Sequence, residues 1–329
     1  MTLVLMLADD LTGALDASAG FSARGMSVAV AVRPDGIKAA LAHAPEVLVV
    51  STGTREAPAE AAERIVAAVL ERLGGLGAEI VFKKIDSRLK GPLAAETRAL
   101  LRRGHSSVLA APAIPEFGRW VQGGLLVGPG VAVPMPVAAA FAGCGAAVTV
   151  PEVDSDADLD AAVAARQPGQ LLAGARGLAL ALARALRPAA EPSPRAVPGP
   201  LLLAVGSRDP ITLAQLTHLQ ANTPPHRYRL LRPGEPEAGE TAAGFAARFA
   251  RAVAAAAGRM DRGTLFACGG ETAQAVLDTL GIAVVLPEGE VFAGVPVSRL
   301  PGCPLRLVSK SGGFGPPDLL SALVALAPG

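Results

Sequence analysis

Along most of the chain, short runs of Val, Leu, Ile and Ala alternate with stretches whose apolar residues recur every three or four positions, and a polar knot separates each pair. The apolar runs predict strands at 2–8, 27–32, 46–51, 79–85, 107–111, 146–150 and 170–173. Helical periodicity fills the gaps, most clearly at 58–73, where Ile65, Val66, Val69 and Leu73 form one stripe, and at 93–104. A second set follows: strands at 201–205, 226–231, 264–267 and 305–308, with helices at 210–221, 241–257, 272–280 and 317–326. Strands alternating with helices imply right-handed crossovers and mainly parallel sheets. The fold class expected is therefore α/β, in two domains, each a mainly parallel sheet flanked by helices, with the active-site cleft between them.

The two sets are separated by "RPAAEPSPRAVPGP", residues 187–200, whose five prolines exclude both a helix interior and a central strand. We read an N-terminal domain over 1–187, a Pro-rich linker over 188–200 and a C-terminal domain over 201–329. Composition narrows the partners. The 30 Lys and Arg nearly cancel the 29 Asp and Glu, and only 3% of residues are aromatic, so neither a nucleic-acid nor a membrane surface is expected. Three scattered cysteines and four scattered histidines show no metal-ligand or disulfide spacing, which fits a reducing cytoplasm. The apolar start, MTLVLML, lacks a basic leader and meets Asp9 too soon for an export signal, so a cytoplasmic protein with a small-molecule partner is expected. Homo-oligomerisation stays open.

In open parallel sheets ligands bind beyond the carboxyl ends of the strands, and that is where the polar knots lie. "ADDLTG" ends the first strand on two aspartates. One carboxylate suffices to cap the next helix; we give that task to Asp9 and keep Asp10 for chemistry. In "KKIDSRLKG", Lys84 and Asp86 share one face of the strand while Lys83 points to the other. A plain Lys84–Asp86 ion pair is the bland alternative. Against it, Arg55 from "STGTRE" would join Lys84 and Asp86 beside Asp10, and a basic cluster there suits a small carboxylate. In the second domain "VGSRD", "CGGETA" and "SKSGGFG" follow strands, so their glycines can bring backbone N–H groups up to phosphate. Neither a Walker A loop nor a G-x-G-x-x-G fingerprint occurs, which removes the dehydrogenase reading.

Taken in order, "ADDLTGALD", "TGTRE", "KKIDSRLKGPLAAE", "PAIPEFGR", "VPEVDSDADLDA", "LLAGARGLA", "VGSRDPITLAQ", "CGGETA" and "KSGGFG" resemble the blocks of the four-carbon acid sugar kinases. The resemblance implies an acid-sugar domain followed by a nucleotide-binding domain, with ATP as phosphoryl donor and magnesium as its companion, the metal ligands being unknown. It places Asp10, Arg55, Lys84 and Asp86 in the acid-sugar domain, and Ser207, Gly269, Gly270, Glu271, Thr272 and Gly312 on nucleotide-contacting motifs. On this reading Arg55 and Lys84 hold the carboxylate of the substrate, and Asp10 or Asp86 takes the proton of the attacking hydroxyl. The chain departs from the family pattern at "SRLKGP", where Ser or Thr-Leu-Arg-Gly-Asn is usual, at "GGFG" for Gly-Asn-Phe-Gly, and at "WVQGGLLVGPG" after "GR". A kinase for a threonate, erythronate or 3-oxo-tetronate is the first expectation. The alternative is a catalytically altered nucleotide- or acid-binding protein of the same fold.

Overall fold

The computed structural model describes residues 2–190 and 195–327. The chain divides into two compact units, Met1–Glu191 and Pro192–Gly329. Residues 191–194, in the middle of the Pro-rich segment read as a linker, lie outside the described residues.

The first unit runs β1 (Val4–Ala8), α1 (Leu11–Ala23), β2 (Val28–Ala31), α2 (Ile37–Leu41), β3 (Val47–Ser51), α3 (Ala59–Leu73), β4 (Ile80–Lys84), α4 (Leu93–Leu101), β5 (Ser107–Ala111), β6 (Trp120–Gln122), β7 (Leu125–Val127), β8 (Met135–Pro136), β9 (Ala147–Thr149), α5 (Asp156–Ala164), β10 (Leu171–Gly174) and α6 (Arg176–Leu186). Its main sheet has the order β2-β3-β1-β4-β10-β5-β9, every pair parallel. β1, β3 and β4 are buried along their whole length, as parallel strands covered on both faces must be, and this explains their unbroken apolar runs. Helix α1 crosses α6 closely because Gly20 has no side chain; a Cβ there would strike Leu180. Register places the carboxyl ends of β3, β1 and β4 side by side, with Ala8 opposite both Ser51 and Lys84. The loops that leave these three ends are the polar knots "DDLTG", "TGTRE" and "IDSRLKG".

The second unit runs β11 (Leu201–Val205), α7 (Pro210–Asn222), β12 (Arg229–Leu231), α8 (Ala242–Ala257), β13 (Gly263–Cys268), α9 (Gly270–Thr279), β14 (Val284–Phe292), β15 (Val295–Arg299), β16 (Leu305–Lys310) and α10 (Leu319–Leu326). Strands β12, β11, β13 and β16 pair in that order and in parallel, and β15 and β14 continue the sheet antiparallel. The core packs Leu203 and Phe266 of the sheet with Leu216 and Leu219 of α7 and Leu320 and Leu323 of α10.

Two pieces depart from the pattern expected of the sequence. Residues 120–136 form a separate 3-stranded antiparallel sheet, β6-β7-β8, of which β6 and β7 fall in the stretch that departs from the family pattern. Residues 284–299 form the β14–β15 hairpin, which the sequence hides: Pro287, Gly289 and Pro296 interrupt the alternation, and the register shifts between Pro287 and Gly289. Other differences are at element ends. The expected 226–231 strand shortens to Arg229–Leu231 because Pro225–Arg227 makes a 3-10 turn, and α9 begins at Gly270 rather than at residue 272. Among the described residues no helix is long and apolar enough to cross a membrane.

Candidate active site

At the end of β1 the backbone of Asp10 is extended (φ −143, ψ 159) and α1 starts at the next residue. Asp10 is therefore the N-cap: Oδ1 accepts from the Gly13 N–H at 3.1 Å, and Oδ2 accepts from Thr12 Oγ1 at 2.6 Å. Asp9, to which the sequence reading gave the cap, is instead fully buried and faces Arg55. Arg55 Nε donates to Asp9 Oδ2 at 2.5 Å and Nη2 to Oδ1 at 2.7 Å, a two-point pair. The same guanidinium reaches Asp10 Oδ1 at 2.8 Å and Asp86 Oδ2 at 3.2 Å. The roles of the two aspartates are thus partly exchanged relative to the expectation, since the cap residue is also the one nearer solvent, with 22% of its side chain exposed against none of Asp9's.

Burial by itself would push the Asp9 carboxyl up, but the charge of Lys83, the hydrogen bond and charge of Arg55 and the charge of Lys84 together hold it below the usual carboxylate range. For Arg55, burial opposes the charged form and is outweighed by Asp9, Asp10 and Asp86, which raise its affinity for its proton. Gly91 comes close enough that a Cβ on it would lie 3.2 Å from Asp9 Oδ2. Gly13, likewise, must lack a side chain, because a Cβ would fall 3.0 Å from Lys84 Nζ and 2.5 Å from Asp10 Oδ1.

Lys84 is buried, donates to the Ile85 carbonyl at 2.7 Å and faces this first turn of α1. The Lys84–Asp86 ion pair considered from the sequence does not form; Asp86 is held by Arg55 and by the Arg88 and Lys90 N–H groups, at 2.8 and 3.4 Å from its Oδ1. The structure thus brings together Asp10, Arg55, Lys84 and Asp86, but it commits Arg55 to three carboxylates rather than leaving it open for an incoming anion.

Behind this layer lies a set of residues that the sequence reading did not pick out. Lys83, on the opposite face of β4, pairs with Glu96 of α4 at 3.1 Å, both fully buried. Thr54 Oγ1 donates to Glu96 Oε1, and Thr52 Oγ1 stands 2.7 Å from Thr54 Oγ1 while bonding the Ala8 carbonyl. The buried pair therefore anchors the loop that carries Arg55. Arg119, also buried, donates from Nη1 to Ser87 Oγ and from Nε to the Pro129 carbonyl, both at 2.8 Å. "GR" was legible as part of a block, but nothing in its spacing showed that Arg119 returns to the residue after Asp86.

In the second unit the loops leaving β11, β13 and β16 meet. A Cβ on Gly206 would strike Thr272 Oγ1, one on Gly312 would strike Ser207 Oγ, and one on Gly269 would lie 3.5 Å from the Ser207 N–H nitrogen. Gly269 is the N-cap of α9 at φ 104, a conformation that glycine adopts freely. Ser207, Gly269, Gly270, Thr272 and Gly312 thus lie around one helix start, whereas Glu271 is exposed in the first turn of α9.

The glycine loop after β16 is shaped from beneath. The Lys310 ammonium, almost fully buried, donates to the carbonyls of Ser311, Gly312 and Phe314 at 2.9, 3.1 and 3.0 Å, and Gln215 Nε2 donates to those of Phe314, Gly315 and Pro316. With these carbonyls drawn inward, the loop can present the Gly312 and Gly313 N–H groups to an outside acceptor, which is what a phosphate requires, while the Phe314 N–H closes back on the Ser311 carbonyl at 3.3 Å. Burial lowers the pKa of Lys310 against the opposing pull of Cys268 and Asp209.

Comparison with known proteins matches one family model within each unit. Residues 4–140 match the model of a sugar-binding N-terminal domain, and residues 231–320 that of a nucleotide-binding C-terminal domain. The D-threonate kinase of Cupriavidus necator is 31% identical over 94% of this chain and 94% of its own. The 3-oxo-tetronate kinase of Methylobacterium radiotolerans is 37% identical over 46% of this chain and 30% of its own. Two solved structures share the fold: a Salmonella typhimurium LT2 protein at TM-score 0.75 and 19% identity, covering 98% of each chain, and a Haemophilus influenzae protein at TM-score 0.68 and 17% identity, covering 98% of this chain and 99% of its own. With its two matched domains and a full-length kinase relative, the chain belongs to the four-carbon acid sugar kinase family and is a phosphotransferase.

Proposed function

We propose that this enzyme transfers the terminal phosphoryl group of ATP to a hydroxyl of a four-carbon sugar acid of the threonate, erythronate or 3-oxo-tetronate class. The observation that carries the reading is the cluster at the ends of β1, β3 and β4, where Asp10 and Asp86 converge on Arg55 with Lys84 alongside. Phosphoryl transfer asks mainly for positioning and charge neutralisation, and this cluster offers both.

Asp10 or Asp86 accepts the proton of the attacking hydroxyl. Nε, Nη2 and one position of Nη1 on Arg55 are engaged by aspartates, so one of the five guanidinium N–H groups remains for a substrate oxygen. Lys84 supplies the other positive charge. Asp9 does not touch substrate; it fixes the plane of Arg55.

The nucleotide phosphates lie on Gly269, Gly270 and Gly312, with the hydroxyls of Ser207 and Thr272 at the rim and the start of α9 supplying N–H groups. Among the described residues no three His, Cys, Asp or Glu side chains are grouped so as to hold a metal ion. A nucleotide-borne magnesium needs only one or two carboxylates besides phosphate and water. Asp209 fits that need: its Oδ1 caps α7 at Ile211, and its Oδ2 lies beside Gly313, 3.3 Å from where a Cβ would be. When bound there, magnesium would neutralise phosphate charge.

An ADP-release screen over D- and L-threonate, D- and L-erythronate and the 3-oxo-tetronates, with ATP and magnesium, tests the proposal. Turnover of at least one acid is expected. ATP binding without turnover of any of them would overturn it.

A further inference from the structure

We propose that Arg88 and Arg119 grip the carboxylate of the sugar acid, and that this pair, rather than Arg55, makes the enzyme select an acid. The inference rests on the kinase reading above and assigns the carboxylate end of its substrate.

The turn after β4 is wound tightly around Asp86. Its Oδ1 accepts from the Arg88 and Lys90 N–H groups, and its carbonyl accepts from the Leu89 N–H at 3.0 Å. This winding holds Leu89 at φ 57, a left-handed conformation that a branched side chain adopts only under constraint. The direction in which residue 88 leaves the turn is thereby fixed. Its side chain runs past Gly130. A Cβ built on Gly130 would lie 3.4 Å from Arg88 Cδ, 3.7 Å from Arg88 Nη1 and 3.6 Å from Arg119 Nη2. Two guanidinium ends from loops far apart in sequence therefore flank one small spot that Gly130 leaves without a side chain.

Arg119 is only 6% exposed and is anchored on the other side by Ser87 and Pro129. Burial, and then the charge of Arg88, press its guanidinium below the ordinary arginine value, and Asp86 offsets this only in part. Two like charges held side by side, that of Arg119 buried and that of Arg88 half-buried, favour an anion between them. The Arg55 cluster has the opposite balance. Three carboxylates surround that guanidinium, so a further carboxylate would be repelled there while a hydroxyl would be welcomed. Asp86 belongs to both groups, joining Arg55 through Oδ2 and the Arg88 turn through Oδ1. A short hydroxy acid can then lie with its hydroxyl end at Asp10 and Asp86 and its carboxylate at Arg88 and Arg119.

The test uses the full chain and the acid that the screen turns over best, beside the neutral amide of that acid. Arg88→Thr should raise the KM for the acid about 10- to 100-fold, the loss of one charge-assisted contact, with the KM for ATP moving far less. Its preference for acid over amide should collapse. Arg88→Lys, which keeps the charge without the fork, should fall between wild type and Arg88→Thr. An unchanged acid KM in folded Arg88→Thr, or an equal loss on acid and amide, would overturn the assignment. Calorimetric titration of the acid without ATP separates the two proposals. Wild type that binds acid more tightly than Arg88→Thr, but turns none over, sinks the kinase reading and leaves the pair standing. Turnover of an acid that both proteins bind equally sinks the pair alone, and absence of any acid binding sinks both.

Discussion

Replacing Asp9 by Asn should unfold the first unit more readily than replacing Asp10 by Asn, although the two aspartates are neighbours and both touch Arg55. The Asn side chain at position 9 keeps the shape and one acceptor, but removes a fully buried charge that meets Arg55 at two points, 2.5 and 2.7 Å, and that also feels Lys83 and Lys84. Breaking a buried ion pair from one side costs about 3–5 kcal/mol. Arg55 retains Asp10 and Asp86, so the lower figure applies here, about 3 kcal/mol. For a unit of this size that lowers the melting temperature by about 6–12 °C, at about 2–4 °C per kcal/mol. Asp10→Asn is gentler, because Asn caps a helix as well as Asp does, and the lost charge is a partly exposed one worth about 1 kcal/mol or less. Calorimetric melting of both variants, with ATP binding measured to show that the second unit is intact, reads the difference. Melting of Asp9→Asn within about 2 °C of wild type would refute the reasoning, since a pair that stores 3 kcal/mol cannot vanish unnoticed.

The same carboxylate sets a pH dependence. The folded-state pKa of Asp9 lies below its ordinary 3.8, so its stabilisation is present above that value and is lost as pH falls below it towards the folded pKa; wild type should therefore lose more melting temperature than Asp9→Asn in a titration through this acidic range. Asp10→Asn should remove most turnover while leaving ATP affinity in place, and a variant with wild-type kcat would move the proton acceptor to Asp86. Gly312→Ala should weaken ATP binding by about tenfold or more, because its Cβ meets Ser207 Oγ, and isothermal titration would expose equal affinity if the loop does not carry phosphate. Glu96→Gln should strand the Lys83 ammonium and cost about 3 kcal/mol in urea unfolding; adding Lys83→Met should restore much of the loss, and a double variant as weak as the single one would contradict the pairing.

What the sequence made legible follows from what local pattern can encode. The apolar runs of β1, β3 and β4 and the polar knots after them located the cluster of Asp10, Arg55, Lys84 and Asp86, because in a parallel sheet the carboxyl ends of neighbouring strands collect the loops. The glycines of "CGGET" and "SKSGG" located the loops that meet at the start of α9 for the same reason. The division of labour between Asp9 and Asp10 turned on a single residue of register at the helix start, which propensity does not resolve. The β14–β15 hairpin stayed hidden because Pro287, Gly289 and Pro296 interrupt its alternation, and the shift in register between Pro287 and Gly289 shows only in the pairing with the partner strand.

The cations were harder to read. Strand alternation correctly put Lys83 and Lys84 on opposite faces, yet it could not supply Glu96, which reaches Lys83 only because α4 packs against that side of the sheet. Nor could it tell that Arg55, which by its position looks like an anion receptor, would find three aspartates waiting. A guanidinium is a receptor only to the extent that folding leaves it short of carboxylates. By that criterion the charge at Arg55 is matched by the aspartates around it, whereas the Arg88 and Arg119 guanidinium ends both flank Gly130, which is why the proposed carboxylate grip is placed there.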